Sequence, residues 1–132
     1  MRLIIESVVY VYRDRRRAAL KWDVMDMMNM SYADGSFDVV LDKGALDAMA
    51  SDDTDAVAQD VVKIFSEFAR VLRVGGHYVC VSLAQDHVLA KLLHFFGSTG
   101  WAIEVHHIEL EDLGMMMVDC SHLSQSAPTN IH

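Results

Sequence analysis

DGSFDVVLDKGALD, residues Asp34 to Asp47, reads as a turn, a short buried strand and a polar elbow at the strand's end. Asp34-Gly35-Ser36 is a turn signal. Phe37 to Leu41 is an apolar run in which Asp38 is the only charge. A continuous apolar run bounded by turn residues suits a strand covered on both faces, as in a parallel sheet. Asp42-Lys43-Gly44 then stands at the carboxyl end of that strand. In open α/β sheets this is the end at which ligands sit.

Working outward, the next segments alternate in kind. Ala45 to Met49 reads as a short helical turn. The acidic loop Ser51-Asp52-Asp53-Thr54-Asp55 offers side-chain acceptors for the first amides of a helix. From about Thr54 to Leu72, Val57, Val61, Ile64, Phe65, Phe68 and Leu72 recur at helical spacing and make one apolar face. Gly75-Gly76 is expected to close that helix through a left-handed cap. Tyr78 to Leu83 reads as a second parallel strand. Asp86 is expected to cap a helix running to Phe96, stopped by Gly97, and Trp101 to Leu110 alternates as a strand. Upstream, Asp23 to Asp26 reads as a short strand followed by a methionine-rich loop; it is expected to lie parallel among the strands at Phe37 to Leu41 and Tyr78 to Leu83, which would set Asp26 at the same rim as Asp42 and Ser82. Met1 to Tyr12 is apolar and fits either a strand or a helix start. Strand, helix, strand, helix, strand is the α/β pattern.

Composition narrows the function classes. The chain has 132 residues, enough for one domain, and its 52% hydrophobic content is enough for a core. The net charge of −8 argues against nucleic acid as a partner. Five of the eleven basic residues fall between Met1 and Arg17, and the Arg13 to Arg17 run reads as a solvated helix end. No uncharged apolar run approaches the ~20 residues of a membrane span, so no membrane partner is expected. Two cysteines, Cys80 and Cys120, make no disulfide framework and point to a reducing, cytoplasmic location. His106 and His107 are adjacent and would face opposite sides of a strand; no metal site is expected. The oligomeric state is left open.

Three stretches resemble one family. VVLDKGALDAM, WDVMDMMNMSYADGSFDVV and EFARVLRVGGHYVCVSLAQDHVL are similar to the fourth-strand region, the adenine-side segment, and the helix, glycine turn and fifth strand of class I S-adenosylmethionine (SAM) methyltransferases. The first phrase resembles most the methyltransferase-like branch that modifies elongation factor 1-alpha, the methyltransferase-like protein 13 type. The likeness runs from about Lys21 to Glu109. It implies a partial Rossmann-like class I methyltransferase sheet, mostly parallel with helices on both faces, and with its first strands missing. It also implies SAM as cofactor and a protein amine, a lysine or an N-terminus, as acceptor. Elongation factor 1-alpha is then the substrate suggested by resemblance.

Residue by residue, Asp26 matches the position that binds the adenine amino group, with Met27 as the apolar neighbour of the ring. Asp42, Lys43 and Gly44 match the segment beside the methionine part of SAM and the methyl acceptor. Asp42 and Lys43 are the catalytic candidates, and Asp26, Met27, Asp42 and Gly44 the cofactor-binding ones. Each has a plainer alternative. Asp26 could be a turn residue, Asp42 could cap Ala45 to Met49, and Lys43 could pair with Asp42 or Asp47. Asp47 itself suits a cap or a salt bridge better than chemistry.

The resemblance has gaps. The glycines stand at 35, 44, 75, 76, 97, 100 and 114, so no pair is separated by a single residue and the family's GxG turn is absent. The acidic residue that ends the family's second strand is also absent. GMMMVDCSHLSQSAPTNIH stands where the family's last strand should return to the sheet and departs from the family there, although Met115 to Val118 could itself be a strand. Residues 1–120 are therefore expected to form a partial methyltransferase domain and 121–132 a frayed tail. This chain alone is expected to bind SAM weakly. The competing hypothesis is a non-catalytic module that docks on a partner through an exposed sheet edge.

Overall fold

The computed structural model describes residues 5–9, 21–108 and 114–123. The Arg13 to Arg17 run and the tail beyond Leu123 lie outside them. In chain order the elements are β1 (Ile5–Val9), β2 (Lys21–Met25), β3 (Phe37–Lys43), α1 (Ala45–Met49), α2 (Asp55–Val71), β4 (Leu72–Ser82), α3 (Asp86–Ser98), β5 (Ala102–Ile108) and β6 (Met115–Ser121).

The α/β class stands, and the apolar run after Gly35 is a strand. β3 and β4 are parallel neighbours, with Val40 opposite Tyr78 and Asp42 opposite Cys80. The intervening α2 makes the crossover that a parallel pair requires. The full order is β3-β4-β6-β5, and β6 runs antiparallel to both of its neighbours. The sheet is therefore mixed among the described strands rather than mostly parallel.

Two further expectations are corrected. β2 is not a neighbour of β3; it pairs antiparallel with β1 in a separate two-stranded ladder. Among the described residues the carboxyl-terminal stretch returns to the sheet, and the candidate strand at Met115 to Val118 is present. Met115–Ser121 inserts between β4 and β5, and His122 exchanges backbone hydrogen bonds with Gly75 and Gly76 at 2.8 and 2.9 Å. The ring of His122 lies 4.6 Å from that of Trp101, so the start of the supposed tail is held. Met115-Met116-Met117-Val118 carries no polar alternation, so the sequence leaves the bounds of this strand unmarked.

One face of the sheet carries the core. Alternation along β4 turns Tyr78, Cys80 and Ser82 to the same side, and Val118 and Cys120 of β6 lie beside them. α2 covers this side with Val61, Ile64, Phe65 and Phe68, and α3 covers it with Val88, Leu92 and Phe96. The opposite side differs. Val39 and Leu41 of β3 remain 51% and 56% exposed, so among the described residues the helices cover one face and not both.

The glycine reading also changes. α2 ends at Val71 and passes straight into β4 at Leu72. Gly75 and Gly76 serve a bulge instead: Phe37 pairs with Leu72 but Val39 pairs with His77. A Cβ on Gly76 would lie 2.8 Å from the Arg73 carbonyl oxygen and 3.0 Å from that of Asp38. The strands approach too closely there for any side chain.

Candidate functional site at the end of the parallel pair

The β3–β4 pair ends in a rim built by two carboxylates. Asp42 is 4% exposed. It accepts from the Tyr78 hydroxyl at 2.8 Å and from the Ala45 amide at 2.9 Å. The Leu46 amide lies 3.3 and 3.4 Å from its two oxygens. The Cys80 thiol is 3.9 Å away. The second carboxylate, Asp47, accepts from the Ser82 hydroxyl at 2.5 Å and from the Leu83 amide at 2.9 Å. Asp42 thus ties β3 to α1 and β4, while Asp47 ties α1 to the end of β4. Between them Lys43 and Gly44 stand exposed. Gly44 adopts φ +79°, a left-handed conformation that favours glycine, and the space a Cβ would take is open.

Burial sets the protonation chemistry. It raises the Asp42 carboxyl above its ordinary 3.8, against the lowering effect of the Tyr78 hydroxyl and the two amides. Burial also lifts Tyr78 well above 10, so its hydroxyl remains a donor. Cys80 and Cys120 are pushed up to about 12, first by burial. Both therefore stay thiols at neutral pH and are poor nucleophiles.

The structure separates the site residues read from the sequence. Asp42, Lys43 and Gly44 share the rim with Ser82, as parallel strands require. Asp42 makes the contacts of a helix cap, the plainer of its two readings. Lys43 forms no ion pair among the described residues, with Asp42 or with Asp47. Asp26 follows β2 and makes turn contacts: its carboxylate accepts from the Met28 amide at 2.9 Å and its carbonyl from Asn29 at 3.1 Å. With β2 outside the β3 sheet, parallel pairing no longer aligns Asp26 with Asp42. Met27 is 7% exposed and belongs to the core cluster with Leu46 and Tyr78. Tyr78 was missed as a site residue because an aromatic in an apolar strand reads as core; only the pairing that sets it opposite Val40, on the face Asp42 shares, shows where its hydroxyl ends.

The loop between β2 and β3 is latched from α2. Arg70 donates to the carbonyls of Tyr32 at 2.7 Å and Met30 at 3.0 Å, and to the carboxylates of Asp34 and Glu67 at 2.8 Å. Glu67 in turn accepts from the Met30 amide. A planar guanidinium can serve these acceptors together, and a lysine ammonium cannot. Arg70→Ala and Arg70→Lys are both expected to speed proteolysis and amide exchange across residues 30–35. Wild-type rates in either variant would show the latch to be idle.

Comparison with known proteins agrees with this fold. A family model described as "Methyltransferase domain" matches residues 5–80. An eEF1A lysine and N-terminal methyltransferase of Bos taurus is 44% identical over 108 residues, which are 80% of this chain and 16% of that protein. The Homo sapiens protein of the same name is 45% identical over 93 residues, 70% of this chain and 13% of that protein. The chain thus spans less than a fifth of the length of these relatives. Among solved structures, a SAM-dependent methyltransferase from Methanosarcina mazei superposes with a TM-score of 0.56 at 14% identity, covering 76% of this chain and 66% of that one. A geranyl diphosphate C-methyltransferase from Streptomyces coelicolor gives 0.53 at 12% identity, covering 76% and 52%. At these identities the two structures speak to the fold alone.

Proposed function

The chain belongs to the methyltransferase-domain family, and from that membership we propose that it forms part of a SAM-dependent methyltransferase that modifies a protein amine, a lysine or an N-terminus. The observation that carries the reading is the rim at Lys43–Gly44. An exposed left-handed glycine with open space above it, at the carboxyl end of a parallel strand, lets a ligand approach the backbone. These residues fit the acceptor side of a bound SAM. When bound, SAM supplies a methyl group on a sulfonium, open to in-line attack by an amine. The residues at the rim supply position, which is the main demand of such a displacement. Asp26 is the proposed adenine-side acceptor, with Met27 fixing its loop from within the core. The names of the relatives favour elongation factor 1-alpha as the substrate and favour an enzyme over a docking module. We place the protein in the cytosol on the strength of its two unpaired cysteines.

The test is transfer of a labelled methyl group. The full polypeptide that carries these residues is incubated with methyl-tritiated SAM and elongation factor 1-alpha, and the modified residue is located by mass spectrometry. Label on a lysine or on the N-terminal amine is the expected result. Label on no protein, under conditions where calorimetry shows SAM bound, would overturn the proposal.

A further inference from the structure

We propose that Asp42 is a positioning residue for methyl transfer: with Tyr78 it fixes the Lys43–Gly44 turn at the rim, and it does not itself touch the acceptor. The inference rests on the methyltransferase reading above and reverses the catalytic role that the sequence suggests for Asp42.

Four observations support it. The carboxylate is buried, whereas the two residues after it are exposed. Both of its oxygens are engaged, one by the Ala45 amide and the other by the Tyr78 hydroxyl, with the Leu46 amide between them. A carboxylate taking up a substrate proton would need an oxygen free to meet it. Tyr78 is anchored among the rings of Phe65, Phe68 and Phe96, at centroid distances of 6.1, 5.0 and 5.4 Å. Its hydroxyl therefore reaches Asp42 from a rigid core. Finally, the turn is closed from the other side by the Gly44 amide, which donates to the Val81 carbonyl at 3.2 Å. The exposed turn is thus held by the Asp42 side chain beneath it and by the β4 backbone beside it. A group so fixed can set where an acceptor meets a methyl donor, and small displacements there are costly to rate.

Asp42→Asn, Tyr78→Phe and the double variant of the full polypeptide test this. Each single variant is expected to lower kcat about 10- to 100-fold while the SAM Kd stays within about twofold, because the device acts on geometry at the rim. The double variant should be no slower than the slower single one, since both changes break the same device. The acid limb of the pH–rate profile should keep its midpoint in Asp42→Asn. Wild-type kcat in Tyr78→Phe, or loss of the acid limb in Asp42→Asn, would overturn the inference and return Asp42 to proton transfer. Absence of methyl transfer by the wild type would instead count against the methyltransferase reading. Amide exchange then judges the positioning device separately. Ala45 and Leu46 should lose protection in Tyr78→Phe, and unchanged protection would overturn it.

Discussion

Phe65→Ala is expected to destabilise the domain by about 3–5 kcal/mol, the range for removing a buried phenylalanine ring. Phe65 is fully buried and meets three other rings: Tyr78 of the sheet, and Phe95 and Phe96 of α3, with centroids at 6.1, 5.4 and 5.2 Å. It is the point at which α2, α3 and β4 touch together. Domains of this kind hold only about 5–15 kcal/mol in total, so the loss is a large share of it. Phe65→Leu keeps most of the apolar volume and should cost less. Urea midpoints of the two variants decide the matter. Equal, small losses would mean that the aromatic cluster contributes little beyond filling space.

Asp42→Ala is the second large effect. It strips the buried Tyr78 hydroxyl and the buried Leu46 amide of their acceptor. An unsatisfied buried donor costs about 1–3 kcal/mol, so the pair should cost about 2–6 kcal/mol. Adding Tyr78→Phe removes one of the stranded donors. The double variant should therefore be more stable than Asp42→Ala alone. A further drop on adding Tyr78→Phe would show that the two groups act independently.

The same carboxyl makes a prediction in pH. Its folded pKa lies above the ordinary 3.8, chiefly through burial. An acid raised in this way contributes stability that is fully present below 3.8 and is lost as pH rises through the folded value. Glu67, Asp52 and Asp53 are lowered, the first by its hydrogen bond to Arg70, the second by the Thr54 amide and the third by Lys91. Their contributions are present above the ordinary carboxylate range and fade as pH falls. In the wild type the two trends oppose each other on the acid side. In Asp42→Asn only the fading remains. Relative to wild type, the variant should therefore lose stability as pH drops from neutral toward about 4. Parallel pH curves for the two proteins would contradict the assigned direction.

Much of this was readable along the chain. The helices α1 and α2 were placed within a residue or two, because α1 follows a polar elbow and α2 carries a long apolar face. Thr54 does cap α2, accepting from the Val57 amide at 3.3 Å. Asp86 does not cap α3; it is the first residue inside that helix, and the position before it is Gln85. Turn and cap chemistry is local, so it shows in a few neighbouring residues. The elbow Asp42-Lys43-Gly44 was likewise found where the strand stops, and the family resemblance rested on that phrase.

The α/β class, the position of β3 and the polar elbow at its end are legible along the chain. Those depend on apolar periodicity and on turn residues, which act over a few positions. The partners of these elements are settled by long-range packing. Whether β2 lies beside β3, whether Met115–Ser121 enters the sheet, and whether Gly76 caps a helix or admits a close strand all depend on residues far apart in the chain. The roles of the site residues turn on the same thing. Asp42 is a carboxylate in either reading, but Tyr78 lies 36 residues further on. Burial of the pair by α2 and α3 decides that the carboxylate faces inward and leaves Lys43 and Gly44 exposed at the rim.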